Sequence, residues 1–151
     1  MGIIVSCFKG CGHTYFTEDK NDTVKVLEKL GELGNSDIDE IMNAIEKYDF
    51  IFVDSSEKTR ELLEERNIDF DVFYPSIERR GEFIENQVKN HTPMKEIREL
   101  DKNFNDWVKS IDEDEAESCH KHKMNERGHF LSNDPLIIEY INSLHNKTEN
   151  K

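Results

Sequence analysis

Apolar residues along this chain follow two rhythms. Ile3-Ile4-Val5-Ser6-Cys7-Phe8 and Phe50-Ile51-Phe52-Val53 are nearly continuous apolar runs without polar alternation, the pattern of strands covered on both faces. Asp69 to Tyr74 reads as a further strand, stopped by Pro75. Between these runs the spacing turns helical. Ser36 opens a helix with Asp39 completing a weak capping box, and Ile38, Ile41, Met42, Ile45 and Tyr48 form its apolar face. Asp54-Ser55-Ser56 supplies N-cap chemistry for a helix over Glu57 to Arg66. Residues 76–90 read as a charged helix weakened by Gly81, and Met94, Ile97, Leu100, Phe104, Trp107, Val108 and Ile111 keep helical spacing over about five turns. Asp112 to Glu117 reads as a solvated acidic bend. Lys121 to Met124 and His129 to Leu131, around Glu126-Arg127-Gly128, suit a final strand and turn. Asp134 and Pro135 begin a last helix that buries Leu136, Ile137, Tyr140, Ile141 and Leu144. Thr23 to Leu33 stays open between a helix, from its every-third-residue apolar spacing, and a short strand at Val24-Lys25-Val26.

Strands alternating with helices predict an α/β fold of three layers with a mainly parallel sheet, in which Ile3 to Phe8 is a central strand. Neither a repeat nor a linker divides the chain, so residues 1–145 are expected to form one domain, with a frayed tail over 146–151. The 151 residues carry 20 Lys+Arg against 33 Asp+Glu, a formal net charge of −13. That balance argues against nucleic acid and anionic membrane as partners, since both recruit basic surfaces. No apolar run is long enough to span a bilayer, and the short run after Met1 lacks the basic leader and cleavage site of a signal peptide. Three cysteines, two of them close together at the end of the first strand, do not suggest a disulfide framework. The expected location is the cytoplasm.

The first strand leads into Lys9-Gly10-Cys11-Gly12-His13-Thr14, the layout of a strand feeding a phosphate-binding loop. The pattern G-x-x-x-x-G-K-[ST] uses small residues so that successive N–H groups can face phosphate oxygens, with a lysine at the β/γ-phosphates and a hydroxyl on Mg²⁺. Here Cys7 stands at the first glycine, Gly12 and Thr14 fit, and His13 replaces the lysine. Imidazole is shorter and, with a reference pKa of about 6.5, mostly neutral at cell pH, although bound phosphate would raise it. Lys9 is a substitute cation within the loop. Asp54, a carboxylate ending an apolar strand, suits a Mg²⁺ ligand or, equally, a helix cap. Arg79 and Arg80, with Lys89, Lys95 and Arg98 beyond, suit a helical lid that stabilises a transferring phosphoryl group, or an ordinary exposed helix. Cys119, His120, His122 and His129 are zinc-competent, but their spacing matches no standard finger or ribbon. Cys7, Cys11 and His13 make a second such group.

Several landmarks agree in order and spacing with one family. Ile4-Val5-Ser6-Cys7-Phe8 precedes Gly10-Cys11-Gly12 and Thr14, followed by Val24-Lys25-Val26-Leu27 and by Asp49-Phe50-Ile51-Phe52-Val53 with Arg60. Phe73-Tyr74-Pro75-Ser76, Asp101-Lys102-Asn103-Phe104-Asn105-Asp106-Trp107 and Gly128-His129-Phe130-Leu131-Ser132 complete the set. From Ile3 to about Asp134 the chain resembles the small P-loop nucleotide-kinase-like proteins of bacteriophages and prophages, an adenylate-kinase-like and deoxynucleoside-monophosphate-kinase-like group. The resemblance implies a P-loop kinase-like fold with a small helical lid and a nucleotide ligand. It also implies ATP and Mg²⁺ as cofactors and the host cytoplasm as location. Lys9, Gly10, Cys11, Gly12, His13 and Thr14 would then hold the nucleotide, Thr14 and Asp54 the metal, and His13, Arg79 and Arg80 would serve transfer. The departures fall where catalysis is served. Family members typically carry proline and lysine at the positions of Lys9 and His13, and an Asp-Ser-Asp-Ser-like segment at Glu28-Lys29-Leu30-Gly31. Two readings follow: a nucleoside monophosphate kinase with weak or lost phosphoryl transfer, or an inactive relative that binds a nucleotide signal or a host protein.

Overall fold

A computed structural model describes residues 2–12, 24–31 and 33–149 of the chain. The element order is β1 (Ile3–Cys7), β2 (Val26–Lys29), α1 (Asn35–Ala44), β3 (Phe50–Asp54), α2 (Glu57–Glu65) and β4 (Phe70–Pro75). A 3-10 turn (Ile77–Arg79) then leads into α3 (Arg80–Lys89) and α4 (Met94–Asp112). After β5 (Cys119–Met124) and a second 3-10 turn (Leu131–Asn133), α5 (Pro135–Glu149) ends the described chain. Among the described residues, five strands form one all-parallel sheet in the order β2-β3-β1-β4-β5. β1 is its central strand, as the apolar run predicts.

Burial explains the order. Phe50, Ile51, Phe52 and Val53 are all solvent-inaccessible, so both faces of β3 are covered, and Val5, Ser6, Val72 and Phe73 repeat this in β1 and β4. Helices therefore flank the sheet on both sides, a three-layer α/β arrangement. β2 and β5, the edges, carry the polar residues: Glu28 and Lys29 on one, His120 to Lys123 on the other. α5 lies over β3, where Tyr140 meets Phe50 edge-on at 5.2 Å and its hydroxyl donates to the Asp49 carbonyl. α4 delivers Leu100, Phe104, Val108 and Ile111 to the core. Among the described residues no helix is long and apolar enough to cross a membrane.

Several local expectations change. The open segment before α1 is the strand β2, which pairs with β3 from Val26↔Phe50 to Lys29↔Val53. α1 begins one residue early and is capped at Gly34, whose N–H donates to Asp37 at 2.8 Å, in place of the Ser36/Asp39 box. Met42 is exposed and Tyr48 lies beyond the helix. Lys121 to Met124 lies in the last strand and His129 to Leu131 leads into a 3-10 turn, the strand and turn expected there. The acidic run after α4 is not simply solvated: the Tyr74 hydroxyl donates to Asp112 at 2.6 Å, and Arg60 donates to Asp114.

Candidate functional site

The loop after β1 is built from two left-handed turns. Gly10 and Gly12 have φ of +92° and +94°, a region that disfavours residues with a Cβ. The Cys11 N–H donates back to the Phe8 carbonyl, closing the first turn, and the Cys11 carbonyl accepts from the Leu131 N–H at 2.9 Å. A Cβ on Gly10 would lie 3.0 Å from Gln87 and 3.2 Å from Phe83 of α3, and one on Gly12 would lie 3.4 Å from Phe130. Both glycines thus let the loop pack closely on α3 and on the segment before the second 3-10 turn. His13 and Thr14, with the rest of residues 13–23, fall outside the described residues.

Asp54 stands at the same edge of the sheet. Its backbone pairs in register with Cys7, and the Ser6 hydroxyl donates to its carbonyl at 2.8 Å. Its carboxylate Oδ1 accepts from the Ser56 N–H and hydroxyl, while the Ser56 oxygen accepts from Thr59 N–H as the N-cap of α2. Asp54 therefore supports the cap one step removed. All of these contacts use Oδ1. Burial first, then Cys11 and the negative charges of Glu28 and Asp54, push the Cys7 thiol well above its ordinary value, so it stays protonated. The carboxylates Glu28 and Asp54 give this edge an acidic field.

The basic residues singled out from sequence lie in other settings. Lys9 approaches Glu96 of α4 at 4.0 Å and is partly exposed. Arg80 pairs with Asp101 at 2.6 Å on the surface, above an open groove of about 720 Å³ between α3 and α4. Arg79 is interior. Its guanidinium pairs with Glu82 at 2.7 Å, donates to the carbonyls of Met124 and His129, and stacks over the rings of Phe83 and Phe130 at 5.0 and 4.9 Å. Glu82 in turn accepts the Gly128 N–H. The structure brings Asp54 and the described part of the loop together; it sets Arg79 and Arg80 apart from each other, one as an internal tie and one as a surface pair.

The Cys119, His120 and His122 group is divided by strand alternation. His120 and His122 face Asp69 and Asp71 at 3.4 and 2.7 Å, with His122 stacked on Phe73, and His129 bonds Asp134 at 2.7 Å. Cys119 points the other way. There it meets Glu64 of α2 and Asp114 of the α4–β5 connection, with ligand atoms all within 4.8 Å of one another. Arg60 lies beside them, donating to Asp114 at 2.6 Å and to Ser110 and Ser55. Burial and the neighbouring Asp114 raise the Glu64 carboxyl to about 8. Burial opposes ionisation of Asp114 too, but hydrogen bonds from Glu64, the Ala116 N–H and Arg60 outweigh it and lower its pKa. Sequence reasoning missed this cluster, because its members are spread from residue 60 to residue 119. The one local signal is Arg60 and Glu64 at i, i+4 on a single helix face. Comparison of the chain with protein-family models, with curated proteins and with solved structures finds no match.

Proposed function

We propose that the chain binds a nucleotide through its phosphates at the Lys9 to Thr14 loop, as a kinase-like protein whose phosphoryl transfer is weak or lost. The observation that carries this reading is the placement of the loop. It leaves the carboxyl end of the central strand, with Asp54 in register beside Cys7. The path from β1 to β2 steps two places one way across the sheet, and every later crossover steps the other way. Open α/β sheets take ligands at the carboxyl edge where this direction reverses.

The fit to ATP and Mg²⁺ is partial. Asp54 keeps Oδ2 outside its cap contacts, suited to a Mg²⁺ ion directly or through water, with Thr14 as the second candidate ligand. A bound Mg²⁺ would neutralise the phosphates against the acidic edge that Glu28 and Asp54 create. The backbone of Gly10 and Gly12 would turn the chain round the phosphates, and His13 would add a hydrogen bond, or charge when protonated. Three of the candidate cations, however, already face a carboxylate: Arg79 faces Glu82, Arg80 faces Asp101 and Lys9 faces Glu96. That pairing favours the second reading, a scaffold that holds a nucleotide signal, or a host protein, without turnover.

Thermal shift against a nucleotide panel with and without Mg²⁺, run beside a phosphoryl-transfer assay, separates these readings. A true ligand at about 100 Kd should add about 2.7 kcal/mol of stability. The wild type is expected to bind and to transfer little, and His13→Lys to raise transfer by returning a fixed cation. If neither protein is stabilised by any nucleotide, the nucleotide reading is wrong.

A further inference from the structure

The cluster of Glu64, Asp114 and Cys119 lies away from the loop, and no role described above uses it. We propose that these three residues form a binding site for a thiophilic divalent cation, Zn²⁺ being the best match to one thiolate and two carboxylates. Acidic neighbours alone would not indicate a ligand, but here a buried carboxylate oxygen and a buried thiol converge with a second carboxylate on one spot. Glu64 Oε2 is buried and accepts no hydrogen bond, and Glu64 meets the Asp114 carboxylate only by holding a proton. The Cys119 side chain, 6 % exposed, makes no hydrogen bond among the described residues and points at the same spot as the two carboxylates. An ion at that spot would satisfy both.

Geometry and charge agree with this assignment. Ligand atoms about 2.0–2.3 Å from a tetrahedral ion lie roughly 3–4 Å from one another. Atoms already within 4.8 Å of each other need only small side-chain movements to reach that spacing. With the Glu64 and Cys119 protons released on binding, three anionic ligands and the Arg60 guanidinium sum to −2, the complement of one divalent ion. Arg60 fixes the Asp114 carboxylate through Oδ2, in the manner of an outer-shell partner that orients a ligand. Access is present as well: Arg60, Glu64, Asp114 and Ser110 line an open surface groove of about 590 Å³. Three protein ligands leave a fourth position facing this groove for water. A bound ion would clip α2 to the connection between α4 and β5.

The test uses the full chain with its thiols reduced, stripped by a chelator and titrated with Cd²⁺, then with Zn²⁺. One equivalent of Cd²⁺ should produce an ultraviolet thiolate-to-cadmium charge-transfer band, and Zn²⁺ should raise the melting temperature and displace the band. Cys119→Ser should abolish the band, whereas Cys7→Ser should keep it. Glu64→Gln, nearly isosteric, should weaken Cd²⁺ binding at least roughly tenfold while keeping the metal-free melting curve and far-ultraviolet circular dichroism. If Cys119→Ser does not fold, the affinity of Glu64→Gln decides the matter alone. A wild type without a stoichiometric band, a band that survives Cys119→Ser, or unchanged affinity in Glu64→Gln would overturn the proposal.

Discussion

Arg79 and Glu82 show how a single interior pair can be tied to a distant loop. The arginine donates to two carbonyls across 45 and 50 residues of sequence, and its carboxylate partner takes the Gly128 N–H. The hydrogen bond from Arg79 leads the causes that hold Glu82 below its ordinary value of 4.5, against the opposing effect of burial. A carboxyl depressed in the folded state contributes stability that is complete above its unfolded value and is lost as pH falls through the folded one. Unfolding free energy measured by urea titration should therefore decline below pH 4.5 in part through this residue. Glu82→Gln, which carries no ionisable group, should be less stable at neutral pH and show a flatter acid limb. An unchanged slope in the variant would mean that other carboxylates carry the acid response.

At the scale of elements, α4 is the main core-building helix after the sheet itself. Its 19 residues place Ile97, Leu100, Phe104, Val108 and Ile111 on one buried stripe, the period that their spacing predicts. Phe104 is solvent-inaccessible and meets Phe8 edge-on at 5.1 Å and Phe83 at 5.8 Å. It thereby joins the start of the loop to α3. Phe104→Ala is expected to cost about 3–5 kcal/mol, since the rigid neighbours cannot collapse into the space. Met94, at the exposed start of the same helix, should tolerate alanine within about 0.5 kcal/mol. Chemical denaturation of both variants checks the contrast, and equal losses would contradict the packing described. The same contacts bear on function: because Phe83 anchors α3 beside Phe8 and Phe130, a change at Phe104 should also loosen the loop.

For the whole molecule, the sheet order gathers Cys7 and Asp54 at one carboxyl edge although 46 residues separate them in the chain. This juxtaposition allows the two roles of Asp54 to be separated. Asn retains an oxygen that can accept from Ser56, so Asp54→Asn should leave stability within about 1 kcal/mol of the wild type, the cap of α2 being Ser56 itself. If Asp54 holds Mg²⁺ for a nucleotide, the same variant should lose the Mg²⁺-dependent part of nucleotide binding while keeping the part that needs no metal. A large stability loss with unaltered Mg²⁺ dependence would assign Asp54 to the cap alone.

Periodicity made the strands and long helices legible. Unbroken apolar runs at residues 3–8 and 50–53 can only be buried on both faces, and that requirement places β1 and β3 inside a parallel sheet flanked by helices. The heptad-like stripe of α4 and the Ser56 cap of α2 were equally readable, because both are set by contacts within a few residues. The short strand β2 was not, since four residues at an edge gain their hydrogen bonds from β3 and carry too little pattern of their own. Nor could sequence tell that Arg79 is interior while its neighbour Arg80 is exposed, which depends on where the chain returns at Met124 and His129. Strand alternation turned Cys119 away from His120 and His122 and towards Glu64 and Asp114. Local order along the chain determined the elements; which charged groups meet was decided only by packing, because burial and long-range contact set the cost of every unpaired polar atom.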